Sequence, residues 1–317
     1  MRSPVLFLVF NRPESTRKVF NAIREAQPPR LYIAADGPRE ERVKELQLCE
    51  EVRNITRLVD WPCEIITLFR EKNLGCKLAV SSAIDWFFNH ELEGIIIEDD
   101  VLPLPSFFLF CDELLEFYRN NPKIGMISGC NLVSNDIELA DSYFFSKHNH
   151  IWGWASWRRA WQYYDVHMES WPEWKKTREL SFVSKKNKMF EIYWSDIFNR
   201  TYEKKINTWD YQWTYACWKN NMLAVLPANN QTYNLGFGAD ATHTVMETPK
   251  YVVKSTPKPI TFPLIHPIKI DANDDIDMLI NRKIYGITVF TTVIKIITSV
   301  PYVLATVKKV KTWIYAK

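Results

Sequence analysis

The sequence predicts an α/β fold with a mostly parallel central sheet flanked by helices, and three observations predict it. Apolar runs of strand length alternate with segments of helical periodicity over the first 130 residues, as β-α-β units require. One run, Ile95-Ile96-Ile97, is unbroken branched aliphatic, the composition of a strand buried on both faces. Each of the first four runs also stops abruptly in polar groups, and in an open parallel sheet such carboxyl ends share one ligand-binding rim.

Taken in order, Pro4 to Phe10 is the first strand, and Asn11-Arg12-Pro13 opens a helix through Val19, Ile23 and Ala26. Asn11 is its expected cap, and Pro28-Pro29 ends it. Leu31 to Ala35 is the second strand, stopping at Asp36-Gly37; the charged P-R-E-E-R-V-K-E-L stretch after it reads as a solvated helix face. Ile65 to Phe69 is the third, and R-E-K-N-L-G-C-K leads into a helix with Leu78, Ile84, Trp86 and Phe87. Ile95 to Ile97 is the fourth, followed by Pro103, Pro105 and a helix through Phe107, Phe110, Leu114 and Tyr118 that Ser106 is expected to cap. Ile124 to Ser128 is the fifth.

With 317 residues and 47% hydrophobic composition the core is ample. A net charge of +3, with no basic cluster interleaved with aromatics, argues against nucleic acid as a partner. Six scattered cysteines without a C-x-x-C pair read as reduced core thiols of a cytoplasmic protein, and exclude a structural zinc site. Neither a P-loop nor a G-x-G-x-x-G fingerprint is present to hold phosphates, so a divalent cation, Mn²⁺ or Mg²⁺, is expected to do so.

The carboxylates for that cation are Glu98, Asp99 and Asp100. Packed side by side at the end of a buried strand they repel each other, which makes them a site for a cation or a polyhydroxyl ligand; a solvated acidic loop is the plainer alternative. Ten of the thirteen tryptophans fall between Trp152 and Trp218. An aromatic core accounts for most of them, with one or two left as a platform for a sugar ring. In T-W-D-Y, Asp210 is either a general base in a partly dry pocket or a helix-capping residue. N-L-G-F-G-A-D-A-T-H-T reads as a loop able to close on phosphates. Residues 281–317 hold no acidic side chain and seven Lys or Arg around apolar runs, the pattern of a helical tail lying in an anionic membrane interface, with packing on the main domain or a membrane-spanning helix as the alternatives.

Together these residues resemble the GT-A fold nucleotide-sugar glycosyltransferases, specifically the N-acetylglucosaminyltransferase I type and its bacterial relatives, over nearly 240 residues in the same order. The resemblance implies that Arg12 contacts the nucleotide, that Asp36 reads uracil, that Asp100 is the one protein ligand of Mn²⁺, and that Asp99 and Glu98 face the ribose and the donor sugar. Lys77, Trp154 and Trp209 join the donor-binding set, Asp210 matches the catalytic base, Thr242 the serine that contacts the diphosphate, and His243 is a further candidate metal ligand. Ser81 stands where the family has a histidine and Trp152 where it has leucine, which leaves the donor sugar open.

The implied activity is inverting transfer from a UDP-sugar to a hydroxyl of a glycan or lipid-linked glycan, at the inner face of the cell membrane. A non-catalytic carbohydrate-binding protein of the same fold is the alternative, and a nucleotidyltransferase the lesser one. The expected organisation is a nucleotide-sugar half (1–130), an acceptor half (131–248) and a membrane-associating extension (249–317).

Overall fold

The computed structural model of this chain describes residues 1–237, 255–289 and 291–292. Its elements in order are β1 (Val5–Val9), α1 (Pro13–Ala26), β2 (Arg30–Ala35), α2 (Val43–Arg53), β3 (Glu64–Phe69), α3 (Gly75–His90), β4 (Glu93–Glu98), β5 (Val101–Pro103), α4 (Pro105–Phe117), β6 (Ile124–Ser128), β7 (Tyr143–Ser146), β8 (Trp154–Trp157), α5 (Arg158–Trp161), α6 (Trp171–Thr177), α7 (Glu179–Val183), α8 (Lys188–Tyr202), α9 (Asp210–Lys219), β9 (Leu223–Pro227), β10 (Thr232–Asn234) and a last helix, Asp274–Lys283.

Eight strands form one sheet in the order β3-β2-β1-β4-β8-β6-β9-β7. β1, β2, β3 and β4 pair in parallel, β6 and β9 run with them, and only β8 and β7 are reversed. The sheet is therefore mostly parallel, and it draws strands from both sides of position 130. Tryptophan-rich W-A-S-W becomes β8, an antiparallel strand inserted between β4 and β6.

Alternation along the central strands divides the core in two. Leu6, Leu8 and Ile96 face the side covered by α3, α5, α8 and α9, whereas Val5, Phe7, Ile95 and Ile97 face α1 and α4. Ile95, Ile96 and Ile97 are fully inaccessible, so each contributes about 1.5–3 kcal/mol of burial. Nine of the ten tryptophans between Trp152 and Trp218 are buried in the same way, all but Trp152. All six cysteines are free; Cys49, Cys111, Cys130 and Cys217 are buried, while Cys63 and Cys76 are partly exposed.

Local details depart from expectation at three polar residues. Asn11 does not cap α1; its amide donates to Glu45 Oε1 at 2.8 Å, and the helix starts from Arg12 with Pro13 as its first residue. Ser106 does not cap α4 either, because its hydroxyl donates to Gln231 Oε1 at 2.6 Å and so ties that helix to the start of β10. The charged stretch after β2 is not wholly solvated. Glu45 is buried and held by Arg39, so it anchors the exit of β2 to α2.

Asn281 to Lys283 end the last helix, with Lys283 paired to Asp136. Among the described residues no helix is long and apolar enough to cross a membrane, and most of the expected tail, 293–317, lies outside them.

Gly94, at the start of β4, has no room for a side chain: a β-carbon there would collide with the Phe87 ring and approach the Pro4 carbonyl oxygen to 2.9 Å. Gly94→Ala should lower the urea midpoint by the equivalent of about 1–3 kcal/mol with an unchanged m value. An unaltered midpoint would show that α3 and β1 are not packed on β4 as described.

Candidate active site

The carboxyl ends of β1, β2, β3 and β4 lie side by side, and a cavity of about 330 Å³ opens over them. Its lining brings together Arg12, Asp36, Arg39, Arg70, Asn73, Cys76, Glu98, Asp99 and Asp100, with Asn207 from the loop before α9.

At its centre three carboxylates meet one guanidinium. Arg12 Nη1 donates to Asp99 Oδ1 at 3.0 Å and to Asp100 Oδ2 at 2.8 Å, and the Phe10 amide donates to Asp99 Oδ2 at 3.1 Å. Burial works against the Arg12 charge, yet Asp99, Asp100 and Glu98 outweigh it and hold the pKa above its ordinary value. Burial also pushes the Glu98 carboxyl up, reinforced by the charges of Asp100, Asp99 and Asp210. Asp99 is likewise raised by burial, against the opposing pull of Arg12. Burial and mutual repulsion thus oppose the ionisation of Glu98 and Asp99, and Arg12 is the one cation hydrogen-bonded to the cluster among the described residues.

Asp36 is occupied differently. Its two oxygens accept from the amides of Gly37 (2.9 Å), Leu74 (3.0 Å) and Gly75 (3.0 Å) and from Asn73 Nδ2 (3.0 Å). The carboxylate thus satisfies the opening amides of α3, where backbone N–H groups otherwise lack partners, and staples β2 to the β3–α3 turn. Gly37 presses on the Lys72 backbone so closely that a β-carbon could not fit. Arg53 reinforces the joint, donating to the carbonyls of Asp36 and Arg70.

Asp210 is the first residue of α9, following Trp209, and accepts from the Thr208 hydroxyl through Oδ1. It is partly exposed, and its charge acts on Glu98 and on Cys76. Burial and the charges of Glu98, Asp210 and Asp100 drive the Cys76 thiol up to about 12, which keeps it protonated and unsuited to nucleophilic attack. Asp210 itself is not part of the cavity lining, which the α9 side reaches through Asn207.

The remaining expected residues are placed as follows. Trp154 and Trp209 are 1% and 2% exposed and stack on each other at 5.8 Å, so neither offers a ring face to the cavity as a sugar platform would. They support the site from below because a ring needs its full area buried where β8 and α9 meet. Trp152 is the partly exposed ring, edge-on to Phe237 at 5.7 Å. Lys77 follows Cys76 on α3 but is not part of the lining, and burial together with the nearby Lys204 charge lowers its pKa. Ser81 is buried and donates to the Lys77 carbonyl. Thr242 and His243 lie outside the described residues.

Just before them, Leu235 N donates to the Asp100 carbonyl at 2.6 Å, and Gly236 leaves no space between its α-carbon and the Asp100 carboxylate for a side chain. The glycine-containing stretch is thereby seated on Asp100. Arg39, Arg70, Asn73 and Asn207 carried no individual signal in the sequence, since each is one polar residue among several at the end of a strand or in a loop. Among the described residues, no three His, Cys, Asp or Glu side chains converge as a ready-made metal cage.

No protein-family model and no curated protein sequence matches the chain. Solved structures do match. HddC from Yersinia pseudotuberculosis is 8% identical with a TM-score of 0.33, over 54% of this chain and 86% of that one. The mannosyltransferase PcManGT from Pyrobaculum calidifontis, in complex with GDP-Man and Mn²⁺, is 11% identical with a TM-score of 0.35, over 68% of this chain and 74% of that one. An apo UDP-glucose pyrophosphorylase is 11% identical with a TM-score of 0.38, over 74% of this chain and 93% of that one.

The acidic cluster has a pH signature. Because the folded state raises the Glu98 and Asp99 pKa values above their unfolded ones, the stability tied to these groups is fully present below the ordinary carboxylate range and is lost as pH rises through the elevated values. Between about pH 5 and about pH 8.5 the wild-type Tm should therefore fall more steeply than that of Glu98→Gln, which removes a buried charge at nearly constant shape. Parallel Tm profiles would mean that Glu98 titrates as it does in water.

Proposed function

We propose that this chain is an inverting, metal-dependent glycosyltransferase that moves a sugar from a UDP-sugar to a hydroxyl of a glycan acceptor, lipid-linked in the assembly of a surface polysaccharide. The observation that carries the reading is a cavity over the carboxyl ends of four parallel strands, lined by Glu98, Asp99, Asp100 and Arg12, with Asn207, three residues before Asp210, reaching it from the loop before α9.

The donor set at the cluster is hard carboxylate oxygen, which fits Mn²⁺ or Mg²⁺. Asp100, less buried than Asp99 and joined to the protein by one guanidinium, is the residue that would hold it, with the rest of its shell supplied by the donor's phosphates and water. A cation held by Asp100 would supply positive charge to offset that of the departing diphosphate.

The chain's own groups do the rest. Arg12 spans Asp99 and Asp100 and stands at the place where a diphosphate would lie, so it serves both as counterion to the cluster and as a phosphate contact. Asp99 and Glu98 accept from hydroxyls of the ribose and the donor sugar. Asp210 takes the proton from the acceptor hydroxyl as that oxygen attacks the anomeric carbon opposite the leaving group. Thr208, whose hydroxyl donates to Asp210 Oδ1, helps to orient the base. Thr242 is the residue assigned to contact the diphosphate in this reading. Residues 281–317 hold the enzyme on the anionic inner leaflet of the cell membrane, where a lipid-linked acceptor presents its glycan.

Asp210→Asn should cut turnover by on the order of 10²–10⁴ while leaving UDP affinity within about twofold. Wild-type turnover in that variant would remove Asp210 from the chemistry. Asp100→Ala should abolish the Mn²⁺ dependence of UDP binding in calorimetry, and identical titrations of wild type and variant would exclude Asp100 as the metal ligand. Loss of the residues from 281 onward should release the protein from anionic liposomes in flotation; equal flotation would dismiss the membrane role.

A further inference from the structure

We infer that Asn73, and not Asp36, is the side chain that reads the donor's nucleobase, and that it favours a base presenting a ring N–H, such as uracil, over cytosine. The inference rests on the nucleotide-sugar reading above and assigns the base recognition within it.

A carboxylate offers about four lone-pair positions, and Asp36 has four donors on its two oxygens: Gly37 N, Leu74 N, Gly75 N and Asn73 Nδ2. To accept from a base it would have to release an opening amide of α3 or the side chain of Asn73. Its 8% exposure leaves little approach for a ligand. Asp36 is thus a positioning residue, fully engaged before any ligand arrives.

Asn73 is left with the complementary capacity. Its Nδ2 donates to Asp36 Oδ2 at 3.0 Å and to the Gly37 carbonyl at 2.8 Å. Both partners can only accept, so the orientation of the amide is dictated by chemistry: the NH₂ must face them and both its hydrogens are spent. Oδ1 is then an acceptor with no hydrogen-bond partner among the described residues, on a side chain that lines the cavity. Arg70 lines the same cavity, and among the described residues its guanidinium makes one hydrogen bond, to Ser82 Oγ at 2.8 Å.

A fixed acceptor in a cavity that a guanidinium with donors to spare also lines complements an edge on which a ring N–H adjoins a carbonyl. Uracil has that edge at N3. Cytosine in the same pose would set the N3 lone pair against the Asn73 oxygen, and the amide cannot flip to oblige it without breaking both bonds to Asp36 and Gly37.

The test is calorimetric titration of the full chain with UDP, CDP and, as a base-free probe, inorganic pyrophosphate, each with Mn²⁺. Wild type should prefer UDP to CDP. Asn73→Ala should weaken UDP by about tenfold and bring the UDP-to-CDP ratio close to unity, with pyrophosphate affinity unchanged. An unchanged ratio in Asn73→Ala, an equal loss for pyrophosphate, or a wild-type preference for CDP would overturn the assignment while leaving nucleotide binding in place. Failure of wild type to bind any of the three would overturn the donor reading as well.

Discussion

The molecule is organised by an electrostatic constraint: three consecutive carboxylates sit where a fully buried strand meets solvent, and one guanidinium faces them. Isolated buried charge is expensive, so this end of β4 persists only because β1 delivers Arg12 and the Phe10 amide to it. The parallel pairing of β1 with β4 is what sets that register, from Val5 opposite Ile95 to Leu8 opposite Glu98. Gly236 and the first residue of α9 converge on the same cluster. Packing of both faces of the sheet therefore serves to hold a patch of unfavourable charge in place.

Much of this frame was legible in the chain. Runs such as Val5–Val9 and Ile95–Ile97 are too apolar for anything but interior strands, and their polar ends are set by local sequence. The later strands were not legible, for a physical reason. β8 is W-A-S-W and β7 is Y-F-F-S, short segments without alternation whose strand state comes from neighbours already in place rather than from their own propensity. Asn11 and Ser106 sit where capping residues should, yet each found a partner distant in sequence, Glu45 and Gln231, that no local rule could supply. Glu45 shows the same limit: a charged residue in a charged run is ordinarily solvated, and only the fold reveals that Arg39 and Asn11 bury it.

The tryptophans illustrate how composition can mislead about a site while describing a core correctly. Trp154 and Trp209 flank the residues of interest in sequence, but their rings turn inward and stack with Trp161 and Trp213 into one aromatic body. That body fixes α9 against β8 and so sets where Asp210 stands, since a helix anchored by close-packed rings has little freedom to slide. Its influence on chemistry passes through position, and contact with a ligand is left to smaller polar groups.

The joint at Asp36 and Gly37 constrains how this lineage can change. A carboxylate shared among four donors, beside a glycine pressed against a neighbouring backbone, leaves almost no neutral substitutions at either position. A substitution there acts on folding first, by opening the joint between β2 and α3. Drift in specificity is channelled instead to the residues that lean on the joint without holding it, and divergent descendants should differ at the lining of the cavity while keeping the aspartate-glycine pair intact.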